Sequence, residues 1–241
     1  MNAVPNIAEV AALIADSSRT TILFSLMDGR MLPASELARR AKISPQTASA
    51  HLAKLVNGKL LDVETNGRYR YYKLANAEVA HVLEGMISIA PVKKITSLRE
   101  SEQVKALKYA RTCYDHLAGL AGVKLTQCML DNGIILPVEK DFTVTKQGED
   151  FFVRFGIDIQ VLKKSKRVFA RQCLDWSERM HHCSGILGAA ITRQLFDLGW
   201  IKRVPDTRAV QVTREGYSGL YHTFGMKLED KIAHFDTQRT F

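Results

Sequence analysis

Residues 44–55 constrain the fold most, because they indicate where a helix begins and which of its faces is buried. Ser44 can cap the free backbone N–H groups at a helix start, and Pro45 suits the first turn, where its missing N–H is not needed. Apolar residues then recur at helical spacing on one face. The other face is polar with few charges, which suits a helix lying in the major groove of DNA. The predicted contacts are Ser44, Gln46, Thr47, Ser49, Ala50, His51 and Lys54.

A β-hairpin signal follows this helix. Residues 58–64 and 68–74 flank Thr65-Asn66-Gly67, and Asn-Gly is a strong signal for a tight hairpin turn. Arg68 and Arg70 alternate with tyrosines, so cations lie at the tip and on one face, where they can contact phosphate or the minor groove. Upstream, residues 7–26 predict two helices separated near Asp16, and residues 35–41 predict a third. This order predicts a winged helix-turn-helix.

These motifs together resemble the arsenic-repressor (ArsR/SmtB-like) family of winged helix-turn-helix regulators. The resemblance spans about residues 5–95, and the whole chain is similar to longer regulators of this family with a duplicated second half. It implies a homodimer that represses a promoter until an inducer weakens DNA binding. It rests on Glu36-Leu37-Ala38, on Ser44, Thr47, Ser49, His51, Leu52 and Leu55 at their spacing, on Gly67-Arg68 and on Tyr71 and Tyr72.

The metal sites of this family are not carried over to this chain. The family's thiolate site lies on the helix before the recognition helix, and residues 35–41 contain no cysteine here. Its other site uses Asp and His ligands on the final helix, where this chain has Glu78, His81 and Glu84 at loose spacing. The sequence therefore requires no cofactor, and a metal ion is one candidate among several effectors.

The second half of the chain contains an internal repeat. The separation between matched residues grows from 60 (Arg111 to Arg171) to 69 (Phe155 to Phe224), so insertions fall in loops while the order is kept. Each copy predicts a helix, a second helix ending at an Asp-x-Gly motif, a hairpin and a Thr-capped helix, which is a winged-helix-like unit. Because the second helix of each copy is apolar, we assign the copies to effector sensing or dimer assembly.

The predicted fold class is mainly α with small β wings (α+β). An N-terminal winged helix-turn-helix is followed by two repeated winged-helix-like units. The predicted boundaries are residues 1–95 for the DNA-binding domain, 96–110 for a connector helix, 111–160 for the first regulatory repeat and 161–241 for the second.

A Cys-x-Asp pattern followed by His occurs in both copies. If the copies pair about a pseudo-twofold axis, two thiols and two imidazoles come together, and this donor set suits zinc or a softer ion. The alternative is structural, because buried cysteine is commonly a small apolar filler, and the histidines could hydrogen-bond Asp115 and Asp175 to hold turns. The candidate effector or metal ligands are Cys113, His116, Cys173 and His182.

Composition and motifs narrow the class of protein. Lys and Arg number 34 against 25 Asp and Glu, which favours a polyanionic partner. The sequence has no Gly-rich phosphate loop, Gly-x-Ser-x-Gly or His-Glu-x-x-His motif, so we do not expect an enzyme. Residues 1–5 lack a secretion signal, and no run approaches the ~20 apolar residues of a membrane span. We expect a cytoplasmic protein with no membrane contact and with reduced cysteines.

The sequence thus predicts a sequence-specific DNA-binding transcriptional regulator. We expect a homodimeric repressor that an effector, sensed in the C-terminal half, releases from its operator. The expected partners are double-stranded operator DNA, a second copy of the chain, and an unidentified small-molecule, metal or redox effector. The alternatives are an activator, a ligand-independent architectural DNA-binding protein, and a winged-helix protein-interaction scaffold.

Overall fold

The computed structural model describes residues 6–91 and 97–229 of the chain. It divides into two compact units, with the boundary between Ala90 and Pro91. Parts of the predicted domains, at residues 1–5, 92–96 and 230–241, lie outside the described residues. Among the helices that the structure describes, none is both long enough and apolar enough to cross a membrane.

The first unit is a winged helix-turn-helix, as predicted. Strands β1, β2 and β3 form an antiparallel sheet in the order β1-β3-β2, and β2 with β3 makes the wing. The helices are α1 (Ile7–Ile14), α2 (Ser17–Ser25), α3 (Ala34–Ala41), α4 (Pro45–Asn57) and α5 (Ala77–Ile89), and the strands are β1 (Leu32–Pro33), β2 (Leu61–Asn66) and β3 (Tyr69–Leu74).

Side-chain caps set the helix starts in this unit. Asp16 accepts a hydrogen bond from the backbone N–H of Arg19 at 2.9 Å, and Ser44 accepts one from Thr47 at 3.1 Å. Each bond satisfies a backbone donor that has no partner within the helix. Burial of the apolar faces completes the unit. The fully buried side chains include Leu23, Leu26, Leu37, Leu52, Leu55 and Leu74.

The turn of the wing lies slightly later than predicted. The strands stay paired as far as Asn66 opposite Tyr69, so Gly67 and Arg68 form the turn. Gly67 has a φ of 59°, a conformation that glycine adopts without the steric strain of a Cβ. The hairpin itself is confirmed, and Arg68 lies at its tip.

The second unit alternates short hairpins with helices. Its strands form a four-stranded sheet, β6-β7-β8-β9, and two two-stranded sheets, β4-β5 and β10-β11. The helices are α6 (Leu98–Tyr109), α7 (Gly119–Asp131), α8 (Lys146–Arg154), α9 (Ile159–Lys163), α10 (Gly185–Asp197) and α11 (Arg214–Phe224). The strands are β4 (Arg111–Cys113), β5 (His116–Ala118), β6 (Ile135–Val138), β7 (Asp141–Val144), β8 (Arg171–Leu174), β9 (His181–Ser184), β10 (Ile201–Arg203) and β11 (Val210–Val212).

The helix predicted at the start of each copy is wrong. Residues 111–118 and 171–184 form the hairpins β4-β5 and β8-β9 instead. Distant segments stabilise both hairpins: the Thr112 N–H donates to the Arg208 carbonyl at 2.9 Å, and the Gln172 N–H donates to the Lys140 carbonyl at 3.0 Å. The later elements agree with prediction, since Thr145 caps α8 and Thr213 caps α11. The predicted fold class is confirmed, and the repeated units stay a prediction.

One hydrophobic core contains buried side chains from both predicted copies. Leu125, Met129 and Phe152 belong to the same cluster as Ile191 and Phe224. The shared core, together with the pairing of Asp141 in β7 with Arg171 in β8, makes residues 111–229 one folded body. The hairpins β4-β5 and β8-β9, far apart in sequence, lie side by side within it.

Candidate nucleic-acid interface and buried Cys/His cluster

Helix α4 is divided into a buried face and an exposed face. Ala48, Leu52 and Leu55 are fully buried, so the helix is held firmly against the first unit. The exposed residues of α4 carry amide, hydroxyl, methyl and ammonium groups, which can contact base edges and phosphates. The predicted contacts that the structure places at the surface are Ser44, Gln46, Thr47, Ser49, Ala50 and Lys54.

Ser44 also has a structural role at the start of α4. Its hydroxyl accepts the Thr47 N–H and lies 2.9 Å from the Thr47 hydroxyl oxygen. The cap therefore orders both hydroxyl groups at the end of the helix that a major-groove helix presents to the bases.

His51 differs from the other predicted contacts, because its side chain is mostly buried, with 15% exposed. Its Nδ1 lies 3.3 Å from Nη1 of Arg19, and its Nε2 lies 3.9 Å from Asp16. Arg19 also donates to the carbonyls of Leu13 and Ala12, at 2.6 and 2.9 Å. These contacts tie α4 to the end of α1 and the start of α2, so the ring of His51 positions α4.

The wing carries two exposed arginines near its tip. Arg68 lies in the turn, and Arg70 lies on β3 opposite Thr65. Both residues are exposed, whereas Lys73 nearer the base of the hairpin forms an ion pair with Glu64. Positive charge is therefore concentrated at the tip of the wing.

The second unit brings together the four predicted Cys and His residues. Cys113 faces His116 across the hairpin β4-β5, and Cys173 faces His182 across β8-β9. All four are buried, and one ligand atom from each lies within 4.8 Å of the other three. The Nε2 atoms of His116 and His182 are 3.1 Å apart. We name these four residues the Cys/His cluster.

Two carboxylates lie behind the histidines. Nδ1 of His116 is 3.5 Å from Asp115, and Nδ1 of His182 is 3.4 Å from Asp175. An arginine contacts each carboxylate in turn, at 2.7 Å for Arg167 with Asp115 and at 2.9 Å for the fully buried Arg111 with Asp175. Both imidazoles are thus oriented with Nε2 towards the centre of the cluster.

Local electrostatics favour the charged forms of His116, which belongs to the cluster, and of Asp175, which lies behind it. Burial opposes a charged His116, but its neighbours Cys113 and Asp115 outweigh this effect and raise the pKa of His116 to about 9. Burial also opposes a charged Asp175, yet Arg111, Ser177 and the Gly119 N–H hold the pKa of this carboxyl well below its usual range. Asp175 is therefore an ionised hydrogen-bond acceptor near neutral pH.

Several supporting residues were missed in the sequence. The hydroxyl of Thr126 accepts the Cys183 N–H and that of Thr192 accepts the Leu117 N–H, both at 2.8 Å. Arg111 and Arg171 occupy matched positions, but only Arg111 is buried. Thr126 and Thr192 occupy matched positions in the two copies, so the repeat could have pointed to both threonines. Nothing in the repeat distinguishes the buried Arg111 from Arg171.

Similarity to known proteins covers nearly the whole chain. Residues 16–62 match the model of the family described as bacterial regulatory protein, arsR family. The chain is 49% identical over 212 residues to an uncharacterized HTH-type transcriptional regulator, YdfF, of Bacillus subtilis (strain 168), with 88% of this chain and 94% of that protein covered.

Shorter similarities concern one part of the chain. The HTH-type transcriptional regulator KmtR of Mycobacterium tuberculosis is 32% identical over 77 residues, which are 32% of this chain and 58% of KmtR. Reduced HlyU from Vibrio cholerae is 28% identical with a TM-score of 0.31, over 33% of this chain and 82% of that structure. Because the similarity to YdfF extends over almost all of both proteins, the chain belongs to the arsR family and is a DNA-binding HTH-type transcriptional regulator.

Proposed function

We propose that the chain is a homodimeric repressor that binds operator DNA through α4 and the wing and is released by an effector sensed in the second unit. The observation that carries the DNA-binding part is the exposed polar face of α4, followed by a wing with Arg68 and Arg70 near its tip. An exposed polar helix face of this kind is what major-groove readout needs.

The roles of the side chains follow from their positions. Gln46, Thr47 and Ser49, in the first turns of α4, contact base edges, and Lys54 contacts a phosphate further along the helix. Arg68 and Arg70 reach the adjacent minor groove or its phosphates. His51 holds α4 in place through Arg19 rather than contacting a base.

A second copy of the chain would cover exposed apolar side chains on two helices of the first unit. On α5, Val82, Met86 and Ile89 are 54%, 41% and 84% exposed and lie at helical spacing. On α1, Ile7 and Val10 are 78% and 39% exposed. Exposed apolar side chains grouped in this way are typical of protein interfaces. In a twofold dimer, two α4 helices would address an operator with an imperfect inverted repeat.

Fluorescence anisotropy tests DNA binding directly. The purified full chain is titrated into a labelled duplex from its own upstream promoter and into a random duplex of equal length, at moderate salt. We expect selective binding to the promoter. Equal affinity for both duplexes would reject sequence-specific regulation and favour the protein-interaction scaffold.

A promoter-reporter measurement in cells with and without the gene then tests repression. Higher reporter output without the gene is the expected result, because a bound repressor blocks transcription. Lower output would identify an activator, and unchanged output with intact selective binding would favour an architectural role.

A further inference from the structure

We propose that the Cys/His cluster is a closed site for one thiophilic divalent metal ion, with Zn²⁺ as the representative ion. The ion would join the hairpins β4-β5 and β8-β9. Metal binding itself does not depend on the DNA-binding function, and only its use as an effector signal rests on the proposed function.

The positions of the ligand atoms fit tetrahedral coordination. Zn–N bonds of about 2.0–2.1 Å and Zn–S bonds of about 2.3 Å separate the ligand atoms by roughly 3.3–3.8 Å. The two Nε2 atoms are already 3.1 Å apart, and all four ligand atoms lie within 4.8 Å of one another. Movements on the order of 1 Å or less would therefore close the four atoms around an ion.

The donor set and its surroundings favour a zinc-like ion. Two thiolates and two imidazoles are a common ligand set for Zn²⁺ and also suit softer ions, whereas Mg²⁺ and Ca²⁺ prefer oxygen. Histidines that bind metal usually have a carboxylate or carbonyl at the other ring nitrogen. Here Asp115 and Asp175 lie near the Nδ1 atoms of His116 and His182, which directs both Nε2 atoms into the cluster.

The burial of the cluster indicates a structural or regulatory site rather than a catalytic one. Cys113, His116, Cys173 and His182 are 0%, 2%, 8% and 1% exposed, so four protein ligands would surround the ion and leave no open coordination position. A filler role accounts for buried thiols but not for two imidazole nitrogens directed at the same point as the thiols. The convergence of all four donors is therefore the observation that carries the proposal.

Cobalt spectroscopy of the full chain tests the site. The protein is purified with a chelator and a thiol reductant, freed of both, and titrated with Co²⁺ in the absence of DNA. We expect a thiolate-to-cobalt charge-transfer band and tetrahedral d–d bands that saturate at one equivalent and vanish when Zn²⁺ is added. Absence of these bands in the unmodified protein would overturn the proposal.

Two variants and one control assign the bands to the cluster. Cys113→Ser and Cys173→Ser should abolish the charge-transfer band or shift it strongly, because each removes one thiolate. Cys128→Ser is the matched control, because Cys128 is a free thiol outside the cluster, and its spectrum should be unchanged. Bands that survive in both cluster variants, or that disappear in the control, would contradict the assignment.

Alkylation mapped by mass spectrometry keeps the proposal testable if a variant fails to fold. In the unmodified protein, bound Zn²⁺ should slow alkylation of Cys113 and Cys173 at least tenfold and leave Cys128 unaffected. Equal rates with and without Zn²⁺, or a Cys113–Cys173 disulfide that forms while no metal binds, would reject the metal site. Neither readout involves DNA, so failure here is distinguishable from failure of the proposed function.

Discussion

Residues on the same helix have different roles, as α4 shows. Periodicity places His51 and Lys54 together on the polar face, yet Lys54 is exposed while His51 packs against Arg19 and Asp16. The difference depends on the start of α2, where Arg19 in the first turn and the capping residue Asp16 are the partners of His51. Helical spacing identifies the side of a helix but not the neighbours that a particular side chain meets.

Substitutions on the DNA-facing surface should separate affinity from sequence preference. Lys54→Ala and Arg68→Ala should weaken binding to all sequences and reduce the slope of log K against log salt by about 0.9 for each phosphate that is no longer neutralised. Gln46→Ala and Ser49→Ala should instead reduce discrimination between operator and random DNA by about 1–3 kcal/mol. Anisotropy titrations at several salt concentrations measure both effects.

The control for these variants is Lys166→Ala, which removes one exposed positive charge from the second unit. It should leave the salt dependence unchanged. If all four variants of α4 and the wing bind like the unmodified protein, this surface does not contact DNA.

The buried pair of Arg111 and Asp175 should contribute strongly to stability. Both side chains are 0% exposed, so Asp175→Asn leaves the charge of Arg111 without its ionic partner. We expect the free energy of unfolding of the second unit to fall by about 3–5 kcal/mol. The exposed pair of Asp141 and Arg171 is the control, and Asp141→Asn should change stability by less than about 1 kcal/mol.

Urea unfolding followed by tryptophan fluorescence measures this difference. The chain has two tryptophans, Trp176 and Trp200, and both lie in the second unit, so the signal reports that unit alone. Similar losses in the two variants would show that burial of the pair is not what matters.

At the scale of elements, local sequence signals account for most helices and for the wing β2-β3, but not for the hairpins β4-β5 and β8-β9. Ser44, Thr145 and Thr213 are each followed by a helix whose third residue donates to their hydroxyl. Such caps act within four residues and can be recognised in a sequence. The hairpins β4-β5 and β8-β9 depend on backbone hydrogen bonds to residues 208 and 140, which no local pattern reveals.

Close packing of α10 on β9 should make Gly188 sensitive to substitution. A Cβ at this position would clash with the Cys183 carbonyl oxygen and lie 3.2 Å from Cβ of His116. Gly188→Ala therefore requires α10 to move away from the hairpin, and we expect a loss of about 1–3 kcal/mol in unfolding free energy. The tryptophan-monitored urea transition measures it.

Ala189→Ser is the neighbouring control for this variant. It adds one atom at a half-buried position of the same helix and should cost about 0.5 kcal/mol through helix propensity. If Gly188→Ala unfolds at the same urea concentration as the unmodified protein, the close approach of α10 is not a constraint.

For the whole molecule, the exposed apolar side chains of α5 should control assembly. Val82→Asp combined with Ile89→Asp introduces charges into the proposed dimer surface, where they would be desolvated. We expect the dimer dissociation constant to rise at least ~10-fold, equivalent to about 1.4 kcal/mol, and operator affinity to fall with it. Sedimentation equilibrium measures the dissociation constant.

Val153→Asp provides the matched control, because Val153 is 67% exposed on α8 of the second unit. The dimer dissociation constant of this variant should equal that of the unmodified protein. Weaker assembly in this variant, with normal assembly in the α5 variant, would move the dimer surface to the second unit.

The sequence by itself determined the winged helix-turn-helix, the start of α4 at Ser44 and Pro45, and, in the second unit, most helices and the hairpins β6-β7 and β10-β11. These features depend on caps, turns and periodicities that act over a few residues. Only the tertiary structure decided that His51 packs inward, that residues 111–118 and 171–184 are hairpins, and that Arg111 is buried. It also decided that Cys113 and His116 meet Cys173 and His182, because that meeting depends on the packing of two hairpins that are far apart in the sequence.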